Sequence, residues 1–198
     1  GGRGMTDTQK KPLWKNELVW LFLITSGLFA ILYSKFILGG YAYVFTDTGA
    51  DTMQINYAQY GLFSSLFRSG ESGYVLQAGL GMDVSSYYPA YLIPYNLLIL
   101  LAPQRLLPWA VLASAYLKMI TISLVGYLFY RKLMQDGIGT MAAALAWTFS
   151  GYVILWGQHY GFCTCMALFT VFMYFLQCYL NGEQRWKSAG LVITVTML

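Results

Sequence analysis

Asp47 and Asp51 stand four residues apart in Phe45-Thr46-Asp47-Thr48-Gly49-Ala50-Asp51-Thr52-Met53-Gln54, with Gly49 free to bend the chain between them. Carboxylates at such a bend could act as a general base, bind sugar hydroxyls or hold a divalent cation. The alternative is a pair of solvated loop acids, with Asp51 as a helix N-cap and Gln54 three residues on. His159 is the single histidine and lies in Trp156-Gly157-Gln158-His159-Tyr160-Gly161, between two apolar runs. An imidazole there could move a proton, ligate a metal or contact a phosphate, or be an interfacial side chain without chemistry.

Cations and aromatics complete the candidate set. Lys118 falls near the middle of an apolar run. A charge at that depth costs roughly 2.5–3.5 kcal/mol on insertion scales, so it must face protein or water and find a partner. No acid of this chain lies at the same depth, which leaves a residue beyond this stretch or an anionic lipid head group. Arg68 and Arg105 suit a phosphate, and equally suit ordinary anchoring at an interface. Tyr87 and Tyr88, with Tyr74, Tyr91 and Tyr95, could stack on sugar rings or form an aromatic belt. Cys163 and Cys165 are two apart and face different sides of a helix, so they do not share a metal. The sequence holds no P-loop, dinucleotide fingerprint, zinc spacing or Ser/His/Asp arrangement, and no protein-held metal site of those kinds is expected.

The elements that must position these residues follow from composition. Of 198 residues, 58% are hydrophobic and only 10% charged, with mean hydropathy +0.52. A soluble domain carries about 25% charged residues, so a cytosolic globular domain, a disordered chain and a disulfide-stapled module are excluded. The net charge of +4 is small and spread out, which argues against a nucleic-acid partner. A multi-pass membrane protein remains, with the lipid bilayer as its solvent.

Residues 18–38, 108–130, 138–156 and 161–180 are each apolar and long enough to cross, and a further span starts near Ser188. Residues 91–101 are apolar but too short, and prolines at 89, 94 and 103 bracket and interrupt them; they read as interfacial or re-entrant. With that segment not crossing, Lys10, Lys11, Lys15, Arg131, Lys132, Arg185 and Lys187 share the side of the N-terminus, as positive-inside requires. The expectation is a cytoplasmic N-terminus over residues 1–17, a first span at 18–38, a large outer loop at 39–107 and further spans over 108–198. Residues 1–4 look like a tag remnant before Met5, and the last apolar run stops short, so the chain reads as the N-terminal part of a larger protein. Within the outer loop, Met53 to Arg68 reads as one amphipathic helix. Ala58, Leu62, Ile55, Leu66, Phe63, Phe67, Tyr60 and Met53 fall on its apolar arc, and Gln54, Gly61, Ser64, Ser65 and Arg68 on the other. Residues 69–73 end it, and Gly79-Leu80-Gly81 marks a turn.

The order of these features resembles a known family. It runs from a span to the acidic outer-loop motif, then to an amphipathic helix ending in Arg68-Ser69-Gly70-Glu71, then to Gly79-Leu80-Gly81 and to Tyr91-Leu92-Ile93-Pro94-Tyr95-Asn96 and onward to Pro103. Leu117-Lys118, Trp147-Thr148-Phe149-Ser150-Gly151-Tyr152 and His159 follow. The chain resembles the YfhO family of bacterial multi-pass membrane proteins over about residues 45–180. One departure is that Ser72-Gly73-Tyr74-Val75-Leu76-Gln77 stands where the family often has Trp-Asn-Pro.

The resemblance implies an all-α, GT-C-like transmembrane helix bundle in a bacterial plasma membrane, with interfacial helices in a large first outer loop. It implies glycosyl transfer from a polyprenyl-phosphate-linked sugar to a cell-wall polymer such as teichoic acid, on the outer face. The family's loop aspartate falls on Asp51, its histidine on His159 and its span lysine on Lys118, with Asp47 an additional acid. Arg68, Arg105 or His159 would offset the leaving phosphate. This stretch alone is expected to be inactive. The rival readings are a transporter or flippase of a lipid-linked precursor, which would not need Asp51 as a base, and a non-catalytic envelope scaffold.

Overall fold

The computed structural model describes residues 16–45, 52–71, 73–76, 81–83, 93–134, 136–183 and 185–197. They are mostly helical. Asn16 caps the first helix, α1 (Glu17–Leu32), by accepting from the Leu18 amide at 3.0 Å. After Tyr33 the chain resumes as the short α2 (Ser34–Leu38). Residues 18–38 are therefore a broken helix. Sixteen residues reach only about 24 Å, and α1 crosses a hydrocarbon core only together with α2.

Beyond residue 51 comes a π-helical turn, Thr52–Tyr57, then α3 (Ala58–Ser69). Gly70, at φ +72°, ends α3, and the Glu71 amide returns to the Leu66 carbonyl at 3.1 Å, the left-handed stop that glycine permits. A two-residue antiparallel ribbon follows, β1 (Tyr74–Val75) against β2 (Met82–Asp83), so the all-helical expectation needs this small correction. Gly73 and Gly81, both at positive φ, flank it. A 3-10 turn at Pro94–Asn96 leads into α4 (Leu97–Leu101), which is five residues long.

Five more helices follow among the described residues. They are α5 (Leu107–Leu133), α6 (Gly137–Thr148), α7 (Gly151–Leu155), α8 (Tyr160–Leu180) and α9 (Arg185–Met197). Asp136 starts α6 by accepting from the Ile138 and Gly139 amides. Three stretches, Gln104–Leu133, Gly137–Gln158 and Tyr160–Leu180, are long and apolar enough to cross a membrane.

Packing has the polarity a bilayer selects. Ile31, Ile138, Leu155 and Leu180 are each about two-thirds exposed or more, while Thr25, Ser123, Thr140 and Thr148 are fully buried. In lipid, apolar surface has no reason to hide, and hydroxyls hold helices together. Thr25 and Ser123 share a hydrogen bond of 2.7 Å between α1 and α5, and Ser26 bonds Tyr116 at 2.8 Å. The Trp147 indole donates to Thr170 at 2.9 Å between α6 and α8.

These contacts also fix direction. Glu17 bonds Tyr127 and Ser26 bonds Tyr116, so α1 and α5 are antiparallel. Lys118 meets Tyr160 and Lys132 meets Glu183, so α5 and α8 run parallel. Glu17, Arg131, Lys132, Asp136 and Glu183 gather at one end of the bundle. Lys35, Trp109 and the loop helices lie at the other.

The amphipathic reading of Met53 to Arg68 assumed one α-helical pitch, and the structure differs. The buried stripe is Tyr60, Phe63, Ser64 and Leu66, whereas Met53, Ile55 and Ala58 are exposed. The π turn widens the winding before residue 58, so a count of 100° per residue fails across it. Ser64, placed on the polar arc by that count, is buried because its hydroxyl donates to the Ala102 carbonyl at 2.7 Å. That bond and the Gln104 amide on the Gly61 carbonyl at 2.6 Å fasten α3 to the chain entering α5.

Candidate functional site

The site grows from the connection between α7 and α8. A 3-10 turn, Trp156–Gln158, passes into His159, and α8 begins at Tyr160. Such a turn leaves carbonyls that helix bonding does not satisfy, and buried carbonyls need partners. Each finds one from another part of the chain. The Tyr43 hydroxyl donates to the Gly157 carbonyl at 3.2 Å, and the Thr52 hydroxyl to the Gln158 carbonyl at 3.1 Å. The Lys118 ammonium donates to the Tyr160 carbonyl at 3.1 Å, which also accepts from the Thr164 hydroxyl. The Tyr160 hydroxyl in turn donates to the Tyr43 carbonyl. A Cβ at position 157 would lie 3.1 Å from the Tyr43 hydroxyl oxygen, a close contact that the glycine relieves.

Aromatic packing closes the node from the loop side. Tyr60 of α3 stacks on Tyr160 with ring centroids 5.3 Å apart and planes 15° from parallel. The Tyr60 hydroxyl donates to Asn96 at 3.3 Å. Tyr43 makes edge contacts with Tyr33, Phe36 and Phe45. Burial pushes the Tyr43 phenol far above its ordinary pKa, with Tyr33 adding to the shift, so it stays a protonated donor at any physiological pH. Burial also raises the phenols of Tyr57 and Tyr95.

His159 sits between pinned neighbours and is half-buried. Its ring lies 5.7 Å from Trp156 and 5.6 Å from Phe162, centroid to centroid. Beside it opens a groove of about 430 Å³ lined by Phe45, Ile154, Leu155, Trp156 and Gln158. The turn that carries His159 thus borders an apolar trough through Trp156 and Gln158. Among the described residues no group of three or more His, Cys, Asp or Glu could hold a metal ion.

The structure thus brings Lys118 to the carbonyl of Tyr160, the residue next to His159. Lys118 is 2% exposed and turned into the interior, away from the groove. Arg68 and Arg105 are exposed. Arg68 is eight residues beyond Tyr60, about 12 Å along α3, and Arg105 is thirteen residues before Lys118, about 20 Å along the chain axis. Asp47, Asp51, Tyr87 and Tyr88 lie outside the described residues, and so does any cation the two aspartates would hold.

Sequence reading missed Tyr43, Thr52, Tyr60, Asn96 and Ser114. Only Ser114 had a legible signal: it precedes Lys118 by four residues and so shares its helix face. Cys163 is buried and Cys165 exposed, on different sides of α8.

Compared with protein-family models, curated proteins and solved structures, the chain has no significant match. Fold and composition define a class, a helical membrane protein whose interior is hydroxyl-bonded and whose α7–α8 turn is clamped by the loop that follows its first helix.

Proposed function

We propose that this chain belongs to a membrane enzyme of the GT-C kind, passing a sugar from a polyprenyl-phosphate carrier to a cell-surface polymer such as teichoic acid on the outer face. The observation that carries this reading is the Thr52 bond to the Gln158 carbonyl. It ties the residue next in sequence to Asp51 to the residue next to His159, across 106 positions of chain. A carboxylate-bearing segment is thereby fastened to an imidazole-bearing turn, beside a trough suited to an isoprenoid tail. In the mechanism, Asp51 takes the proton from the acceptor hydroxyl. That oxygen attacks the anomeric carbon, and the carrier phosphate leaves toward His159. Arg68, Arg105 or His159 offsets the charge of that phosphate. A divalent cation at Asp47 and Asp51 would serve the same phosphate.

The test is Asp51→Asn in the protein as cells make it, read by cell-wall polymer analysis and by transfer in isolated membranes. Loss of about 10²–10⁴-fold in rate, with membrane level unchanged, is expected for a general base. Near-normal transfer would exclude Asp51 as the base and favour a carrier that moves the lipid-linked precursor without chemistry. If Asp47→Asn alone were inactive, the role would pass to Asp47.

A further inference from the structure

Lys118 and Ser114 lie one turn apart on α5 and face the same enclosed space. Lys118 is 2% exposed, and among the described residues one of its three ammonium donors is used, on the Tyr160 carbonyl. Ser114 is 1% exposed, and among the described residues its hydroxyl has no hydrogen-bond partner. Two polar groups left short in the same buried place are costly, and a native interior satisfies such groups with protein or with ordered water. Between them is a cavity of about 10 Å³, walled by Tyr33, Tyr43, Tyr60 and Met119. That volume is the room one water needs, and an ammonium and a hydroxyl are two of the two to four partners it requires. A phosphate group does not fit it, and a lipid head group would have to pass the tyrosine wall to reach the ammonium.

We propose that Lys118 is a positioning residue and not a substrate contact: with Ser114 it holds one buried water, and through the Tyr160 carbonyl it fixes the turn that carries His159. The water lets the ammonium remain charged without a carboxylate. The charged donor then makes a stronger bond to the carbonyl than a neutral one would. Four neighbouring backbone groups, from Gly157 to Tyr160 and across to Tyr43, are held by that lock and its companions. The functional meaning of the lock rests on the reading of His159 as a site residue, but its existence does not.

His159 is the sole histidine, so its modification by diethyl pyrocarbonate reports on this turn alone. The experiment uses the whole chain in lipid nanodiscs, without any lipid-linked sugar. Lys118→Met should speed His159 modification about tenfold, because losing a hydrogen bond from a charged donor frees the turn by about one decade. Lys118→Gln keeps a neutral N–H donor and should recover part of the protection. Ser114→Ala should give a smaller increase, because only the water loses a partner. A high-resolution structure should show one water within hydrogen-bonding distance of both Lys118 Nζ and Ser114 Oγ. Wild-type modification rates in folded Lys118→Met would overturn the lock. So would an empty cavity, or a lipid phosphate oxygen seated on the ammonium. If Lys118→Met does not fold, Ser114→Ala and the wild-type density decide alone, and an unchanged rate with no water overturns the proposal. None of these readouts uses sugar transfer, so an active Asp51→Asn enzyme would sink the proposed function and leave the lock standing.

Discussion

Two lysines on one helix show how differently this protein treats charge at its centre and at its end. Lys118 and Lys132 are fourteen residues apart on α5, nearly four turns, and both reach toward α8 or the turn that follows it. Lys132 ion-pairs Glu183 beyond the C-terminus of α8 and lies 5.6 Å over the Tyr174 ring. Lys187 pairs the same carboxylate from four residues on. Hydrogen bonds from Lys132 and then from Lys187 hold the Glu183 carboxyl down at about 2. Among the described residues Lys118 has a carbonyl and a hydroxyl-lined cavity, and no acid, beside it.

The difference follows from solvation. At the end of the bundle water shares the cost of the charges, and the pairs are screened and interchangeable. In the interior a charge persists only where geometry is fixed around it, so it also fixes geometry in return. The end node is a fastening of modest strength, and the inner node defines a shape.

The comparison can be broken at the level of the whole bundle first. The two ends are expected on opposite sides of the membrane. With Cys163, Cys165 and Cys178 replaced, Glu71→Cys and Asn181→Cys should react with an impermeant maleimide from opposite sides, all or none. Labelling of both from one side would remove the distinction between the ends.

Within the inner node, Tyr43→Ala should have the largest energetic effect. It deletes a buried ring packed on Tyr33, Phe36, Phe45 and Tyr160 and frees the Gly157 carbonyl. A loss of about 3–5 kcal/mol is expected from denaturation in mixed micelles, as for other large aromatic truncations. Thr52→Val should cost less, about 1 kcal/mol, because it removes one hydroxyl donor from the Gln158 carbonyl and keeps the volume. Thr25→Val, which breaks the buried bond to Ser123 between α1 and α5, should cost about 0.6 kcal/mol in the same measurement.

The end node should respond least, and mainly to conditions. Because the Glu183 pKa is depressed on folding, the stability it contributes is present above the ordinary carboxylate range. It is lost as pH falls from there toward about 2. Stability in wild type should therefore drop over that interval, and Glu183→Gln should flatten the drop. High salt should shrink the difference between the two proteins at neutral pH. A Glu183→Gln effect as large as that of Tyr43→Ala would reverse the ranking of the two nodes.

What was legible beforehand was what depends on local composition and period. Runs of apolar residues located the long helices to within a few residues at 108–130 and 161–180, where the helices are Leu107–Leu133 and Tyr160–Leu180. Gly70 announced the end of α3 because its stop is a backbone property of one residue. Lys118 stood out because a mid-helix charge is conspicuous in any apolar run. The break at Tyr33 was not legible, since no proline or glycine marks it. Nor was the π turn at Thr52–Tyr57, which takes Met53 and Ile55 off the face that Tyr60, Phe63 and Leu66 bury, nor the Ala102 carbonyl that holds Ser64 inside.

By itself, then, the sequence determined a chain built for a bilayer, the positions of its main helices and the few polar residues that needed an explanation. Hydropathy is summed along the chain and needs no partner to be read. Only the tertiary structure decided what Lys118 is for, that His159 is clamped on both sides, and that Tyr43, Thr52 and Tyr60 share one node. Those facts are contacts between residues 36 to 117 positions apart. The hydroxyls that make them are ordinary surface residues in every local window. They acquire a role only when packing removes water and leaves each carbonyl to find a donor elsewhere in the chain.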